Sequence, residues 1–148
     1  MDKFGKITLL TAMIAASGGS AAAAPPQTRV YSSLCRDSAS GDASGYRIRI
    51  TPTAKGQDLS IEWSEGPLMG PAQASRVVAD DVTSALEFTL VSDGRPPYTV
   101  RGRISAKAIV LESWNWGDGQ GPMPLGAVVP RRAAHGDGDA IGDCPRQP

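Results

Sequence analysis

The sequence predicts an exported protein with an all-β fold, and three observations lead to that prediction. The N-terminal residues have the layout of a secretory signal peptide. Much of the remaining chain alternates apolar and polar residues, which is the pattern of half-buried β-strands. Turn residues interrupt this alternation roughly every 10 to 13 residues, which favours an antiparallel meander. No segment after residue 24 keeps the period of an amphipathic helix.

Residues 1–24 are predicted to be the signal peptide. Lysines precede an apolar run at residues 7–16, and small residues fill residues 17–24. Cleavage is expected within residues 21–24, because a signal peptidase reads small side chains. The apolar run is about half the roughly 20 residues that a membrane-spanning helix needs. We therefore expect residues 25–148 to be one periplasmic or secreted β domain with no membrane span.

The first hairpin has the clearest strand pattern. Residues 30–35 form a predicted first strand, and a loop rich in Ser, Asp and Gly follows it. Tyr and Ile alternate with Arg and Thr in residues 46–51, and Leu, Ile and Trp alternate with Ser and Glu in residues 59–64. These two runs flank a turn around residues 55–57. They predict a hairpin with an apolar inner face and a charged outer face.

Two further hairpins are predicted by the same reasoning. Residues 72–79 and 85–91 flank a polar Asp-Asp corner, and Leu and Phe alternate with Glu and Thr in the second run. Residues 98–104 join residues 108–113 through a Ser-Ala-Lys turn. The chain therefore continues as a meander of antiparallel strands.

The C-terminal segment is rich in Gly and Pro from about residue 114 and is predicted to be irregular. One apolar run, residues 125–129, can close the sheet as a last strand. Roughly seven or eight strands in one domain fit a calycin-like barrel or a two-sheet sandwich. The simple hairpin order favours the barrel, and this analogy concerns architecture alone.

The two cysteines, Cys35 and Cys144, are predicted to form a disulfide. An exported protein meets an oxidising compartment, where a pair of cysteines is normally bonded. The bond would fasten the C-terminal tail to the first strand. The alternatives are two free thiols or a metal site. Both are disfavoured, because the cysteines are far apart in sequence and neither has a Cys or His partner nearby.

Composition and motifs limit the function. With 15 basic and 15 acidic residues the chain is neutral, so nothing argues for a nucleic-acid partner. The single histidine, His135, has no nucleophile motif around it, and no cofactor motif occurs. We therefore expect no catalytic residues and no cofactor. A pair of carboxylates remains the enzymatic alternative, although Glu62 and Glu87 fall in outward positions, where a carboxylate is usually solvated.

Two arginine pairs are candidate contacts for a partner. Arg47 with Arg49 and Arg101 with Arg103 are each two residues apart, so each pair projects from one face of its strand. If the two strands are neighbours, four guanidinium groups form a basic patch suited to carboxylate or phosphate. The alternative, which we favour, is that acidic residues are their ordinary cross-strand partners. The acids concerned are Glu62, Glu87, Glu112, Asp80 and Asp81.

Trp114 and Trp116 are the other candidate contacts, because they project from the same side of an extended segment. If exposed, they can stack on a sugar or insert into a partner's cleft. If buried, they would plug one end of the sheet near Trp63, and we expect this of at least one of them.

The acidic tail is a weaker candidate for a metal site. Asp137, Asp139 and Asp143 offer carboxylates of the kind that bind Ca²⁺. Repeated Asp-Gly pairs are more typical of an exposed turn, so no metal is predicted.

A short motif precedes the first hairpin. Ser44-Gly45-Tyr46 is similar to a signature in secreted bacterial lysozyme inhibitors, which are small disulfide-bonded β-barrels, and the resemblance covers these residues alone. We expect a non-catalytic exported module that binds an envelope protein or a glycan, for example as an inhibitor does. The alternatives are a carrier of a small apolar ligand inside the barrel and a glycan-processing hydrolase that uses paired carboxylates.

Overall fold

The computed structural model describes residues 27–91, 96–114, 123–132 and 141–145. The predicted signal peptide lies outside them. The described residues form ten β-strands and no helix, so none of them crosses a membrane as a helix. The strands are β1 (Arg29–Ser32), β2 (Cys35–Arg36), β3 (Ala43–Thr53), β4 (Gly56–Gly66), β5 (Leu68–Asp80), β6 (Ala85–Leu90), β7 (Tyr98–Ile104), β8 (Ala108–Trp114), β9 (Met123–Arg132) and β10 (Gly142–Asp143).

Eight of these strands form a closed antiparallel barrel. Strands β3 to β9 follow one another as a meander, and β1 closes the ring by pairing with both β9 and β3. Closure pairs strand edges that would otherwise be open to solvent or to other chains. The all-β prediction is confirmed, and the architecture is the barrel rather than the sandwich. Strands β2 and β10 lie beside the ring, where β2 pairs with β3 and β10 pairs in parallel with β2.

The apolar residues of the alternating pattern fill the barrel. Ile48 lies opposite Ile61 on the neighbouring strand, and Phe88 lies opposite Val100. Inward residues of all three predicted hairpins belong to one core cluster, and each retains at most 1% of its surface. They are Ile48, Ile50, Leu59, Ile61, Phe88, Leu90, Val100 and Ile104. The hairpin phases read from the sequence are therefore confirmed.

Several strand boundaries differ from the prediction: β3, β4 and β5 extend beyond the predicted runs, and the first and last strands also differ. The first strand is interrupted, because β1 ends at Ser32 and β2 begins at Cys35. The last strand is longer than residues 125–129, so that part of the segment predicted to be irregular is β9. Strand β9 pairs with β8 over much of its length and with β1 at Arg131 and Arg132. These partners lie far away in sequence, which is why the local pattern gave too short a strand.

Strands β7 and β8 approach each other closely at Gly102. A Cβ atom at Gly102 would overlap the carbonyl oxygen of Val110, and the register between the two strands shifts at this point. Only glycine fits such an approach of one backbone to another. This contact lets the ends of β7 and β8 meet at one end of the barrel.

The predicted disulfide between Cys35 and Cys144 is present, with 109 residues of sequence separation. It fastens the C-terminal segment to β2 instead of the first strand. The Cys144 N–H also donates a hydrogen bond to the carbonyl oxygen of Arg36, at 2.9 Å. A structural disulfide fits an oxidising compartment outside the cytoplasm.

Candidate functional site

Four aromatic side chains gather at one end of the barrel, which we call the aromatic end: Tyr46, Trp63, Tyr98 and Trp114. The rings of Trp63 and Trp114 meet edge to face, with centroids 5.6 Å apart. Tyr98 stacks on Trp114 with centroids 6.0 Å apart. Tyr46 is the cross-strand partner of Trp63. Both ring arrangements are the favourable ones for aromatic pairs.

The meander brings these four residues together. Tyr98 is the first residue of β7, and Trp114 is the last residue of β8. Neighbouring antiparallel strands run in opposite directions, so the start of one lies beside the end of the next. Tyr46, near the start of β3, meets Trp63, near the end of β4, for the same reason. Tyr46, Trp63 and Tyr98 continue the inward series of their strands, whereas Trp114 follows a register shift in β8 between Leu111 and Ser113.

Exposed apolar residues border this aromatic cluster. Met69 lies opposite Trp63 on β5 and is 51% exposed, and the preceding Leu68 is 43% exposed. Trp63 and Tyr46 are half-buried, while the other two rings of the cluster are buried. The aromatic end therefore offers solvent an apolar surface that rests on a packed aromatic base. Aromatic residues and Met are enriched in protein interfaces.

The tryptophan prediction is resolved for Trp114. It retains 3% of its surface and packs against Trp63, as the buried interpretation predicted. Trp116 lies outside the described residues. Sequence reasoning missed Tyr98 and Met69 as members of this end. The inward phase of Tyr98 was visible in the sequence, whereas Met69 precedes the strand predicted at residues 72–79 and is placed by a register shift between β4 and β5.

The predicted arginine pairs lie on opposite walls of the barrel. Strands β4, β5 and β6 separate β3 from β7 on one side, and β1, β9 and β8 separate them on the other. Arg47 and Arg49 therefore do not join Arg101 and Arg103 in a four-guanidinium patch. Each arginine forms an ion pair with a glutamate, as the cross-strand interpretation predicted. The pairs are Arg47–Glu62 at 3.2 Å, Arg49–Glu62 at 2.7 Å, Arg101–Glu87 at 2.7 Å and Arg103–Glu112 at 2.6 Å.

Glu62 differs from the expectation of a solvated carboxylate. It points outward from β4, yet it retains only 8% of its surface. Its Oε2 atom accepts hydrogen bonds from Nη1 of both Arg47 and Arg49. Arg47 is itself buried, with 4% of its surface exposed. The two ion pairs compensate the buried charges and link β3 to β4.

The glutamates do not line one cleft. Glu62, Glu87 and Glu112 lie on β4, β6 and β8, with one strand between each and the next, and each is ion-paired with arginine. Within the described ranges, no three His, Cys, Asp or Glu side chains are grouped as a metal site would require. Asp143 is an exposed residue of β10. The other candidate ligands, Asp137 and Asp139, lie outside the described residues, as does His135.

The Ser44-Gly45-Tyr46 motif lies within β3 and packs against the chain that links β1 to β2. Gly45 has a φ of 101°, and a Cβ atom there would lie 2.6 Å from the carbonyl oxygen of Ser33. The Tyr46 N–H donates to the Ser33 hydroxyl at 3.1 Å. These contacts give the motif a structural role, since the close approach requires glycine.

Two carboxyl groups have pKa values below their usual range, and both close turns. Hydrogen bonds from the Thr83 hydroxyl, and then from the N–H groups of Val82 and Thr83, lower the pKa of Asp80. Hydrogen bonds from the N–H groups of Ser40 and Ala39 lower the pKa of Asp37. Both shifts arise because the bonds favour the charged carboxylate.

Together, these observations define the class of the protein as a disulfide-bonded, eight-stranded antiparallel barrel with an aromatic end. Comparison with known protein families, with curated proteins and with solved structures finds no match. The function of the protein is therefore inferred from the geometry and chemistry of its own residues.

Proposed function

We propose that this protein is an exported, non-catalytic barrel that binds a protein of the cell envelope through its aromatic end. The observation that carries the proposal is the exposure of Met69 and Leu68 beside the half-buried Trp63. Burying a side chain such as Met or Leu contributes roughly 1.5 to 3 kcal/mol. A partner that covers this end gains that contribution, while the aromatic base beneath it keeps the surface in place.

Export to the periplasm or beyond the cell is part of the proposal. The signal-like N terminus and the Cys35–Cys144 disulfide support it, because disulfides persist mainly outside the cytoplasm. The partner is expected in the same compartment.

A glycan is the second candidate ligand. The half-buried indole of Trp63 and the neighbouring ring of Tyr46 favour it, because flat aromatic rings stack on sugars. Met69 and Leu68 favour a protein instead, since they add aliphatic surface without hydrogen-bonding groups.

The two other functions predicted from the sequence have less support. A carrier needs space inside the barrel, but the eight inward residues named above as the core retain at most 1% of their surface. A side chain that faced a water-sized cavity would keep more accessible surface. A hydrolase needs two acids across a cleft, whereas Glu62 is buried against two arginines and Glu87 is ion-paired with Arg101.

The test compares charged substitutions at two exposed apolar places. Met69→Asp places a carboxylate at the aromatic end, and Val128→Asp places one on the outer wall of β9, where Val128 is 58% exposed. We expect Met69→Asp to abolish capture of the envelope partner by the immobilised protein, and Val128→Asp to leave it unchanged. Equal binding by the two variants would contradict the proposal.

Tryptophan fluorescence tests the glycan. Trp63 and Trp114 are in contact, so a sugar stacked at this end changes their emission. Soluble peptidoglycan fragments are the probe. A saturable change that Met69→Asp preserves and Trp63→Leu abolishes would favour the glycan, and no change would favour the protein partner.

A further inference from the structure

The turn between β5 and β6, at residues 81–84, presents an apolar side chain to solvent. Val82 at its tip retains 94% of its surface, more than the other exposed large hydrophobic residues of the described chain. The next most exposed, Val91, retains 60%. Burial of a valine side chain makes a favourable contribution to the free energy. Folding of this chain leaves that contribution unused.

Hydrogen bonds hold the turn on both sides of Val82. Asp80 Oδ1 accepts the Val82 N–H at 2.8 Å, and Asp80 Oδ2 accepts the Thr83 hydroxyl at 2.8 Å. The carboxylate of Asp81 accepts hydrogen bonds from Arg29 Nη1 at 2.6 and 2.8 Å. Arg29 belongs to β1, so this ion pair fastens the turn to a strand distant in the ring.

The far side of the turn is fastened to β7. The carbonyl oxygen of Ser84 accepts the N–H of Ile104 at 3.0 Å. Ser84 has a φ of 58°, in the left-handed region that costs a residue with a Cβ atom free energy. The surrounding contacts therefore hold Ser84 in a conformation that it would not favour alone.

Three other turns of the described chain carry small or polar tips. Their tips are Ser-Ala-Ser at 38–40, Ala-Lys at 54–55 and Ala-Lys at 106–107. The first of these is closed by an Asp side chain in the same way, since Asp37 Oδ1 accepts the N–H groups of Ala39 and Ser40. Closing a turn therefore does not require an apolar tip, and tips usually carry Gly, Asn, Asp or Ser. The turn conformation does not explain Val82.

We propose that Val82 is an anchor that inserts into an apolar pocket of a partner protein, and that basic groups rim this pocket. A side chain held in place before binding loses little conformational freedom on binding, which favours affinity. Protein interfaces usually combine a buried apolar centre with a polar rim, which is the arrangement proposed here.

The charge around Val82 indicates the basic rim. Asp80, at the end of β5, and Asp81, in the turn, directly precede Val82, and Arg29 compensates the charge of Asp81. Asp81 retains 60% of its side-chain surface, so it remains accessible to a cation of the partner. Met69 lies at the start of β5, whereas the turn follows the last residue of this strand, Asp80. The surface around Val82 is therefore separate from the aromatic end. The inference therefore does not depend on the proposed function.

Site-specific photocrosslinking tests the anchor. A photoreactive p-benzoylphenylalanine replaces Val82 in one preparation of the protein and Val128 in another, and each is irradiated with an extract of its own envelope fraction. We expect a protein adduct at position 82 and none of the same mass at position 128. Unlabelled wild-type protein should compete for that adduct, and Val82→Asp should need at least ten times the concentration.

The competitors separate this surface from the aromatic end. Met69→Asp should compete as well as the wild type, because it leaves the turn unchanged. Raising the salt concentration should weaken the adduct, since screening reduces attraction to a basic rim. The inference is overturned if position 82 gives no protein adduct, if position 128 gives the same adduct, or if Val82→Asp competes as well as the wild type. Circular dichroism of Val82→Asp confirms that the competitor is folded.

Discussion

Removal of the Cys35–Cys144 disulfide is expected to lower the stability of the barrel without abolishing its fold. The bond closes a loop with 109 residues of separation, nearly the whole of the described chain. The chain-entropy relation for such a loop gives a loss of about 4.8 kcal/mol at 25 °C. Closure of the ring by β1 does not involve either cysteine, because β1 pairs with β3 and β9 through its own backbone. The reduced barrel should therefore still form.

Urea unfolding of the Cys35→Ser/Cys144→Ser double variant measures this loss. The free energy of unfolding should fall by about 4 to 5 kcal/mol, and the m-value should rise because the unfolded chain becomes less compact. Wild-type protein reduced with dithiothreitol is the control for the substitutions themselves. A loss below about 1 kcal/mol in both samples would refute the reasoning, and so would a variant that has lost its β-sheet circular dichroism in water.

Three further predictions concern single residues. Gly102→Ala should lower the free energy of unfolding by about 1 to 3 kcal/mol, because the alanine Cβ would overlap the carbonyl oxygen of Val110 on β8. Gly142→Ala is the control in the same urea experiment and should change this free energy little, because a Cβ there meets no atom within 4 Å. Phe88→Ala should cost about 3 to 5 kcal/mol in thermal unfolding, since the side chain is fully buried; a loss under about 1 kcal/mol would contradict the solid core. The Asp80 carboxyl should titrate below its usual pKa by NMR, so that its contribution to stability is present above the unfolded pKa and is lost as pH falls through the folded pKa. Thr83→Ala should raise that pKa, and an unchanged value would contradict the assigned cause.

The sequence predicted the strands well where the alternation of side chains was strict. Residues 98–104 were predicted as a strand and form β7 with the same bounds. Apolar and polar residues alternate there, and period-two alternation is a local property that survives in any sheet with one buried face. The disulfide could also be predicted from the sequence, because two cysteines in a chain predicted to be exported leave few alternatives.

Charge placement was less predictable. The sequence showed that Arg47 and Arg49 share a face, but it did not show that both would pair with one buried glutamate, Glu62. It also left open whether β3 and β7 are neighbours. The closed ring places them on opposite walls, and this separation removed the predicted basic patch.

The aromatic end shows the same division. The inward phase of Trp63 was readable from the sequence, as was the expectation that at least one tryptophan is buried. Their contact with each other, and the exposure of Met69 beside them, depend on how the ring closes.

The sequence by itself determined the all-β class, the phase of the hairpins and the cysteine pair, because each of these follows from neighbouring residues or from composition. Only the tertiary structure decided that the meander closes as a barrel, that the arginines are ion-paired on opposite walls, and that aromatic rings meet at one end while Val82 projects from the other. The physical reason is that strand order, closure and burial arise from hydrogen bonds and packing between residues far apart in the chain, which a local pattern does not specify.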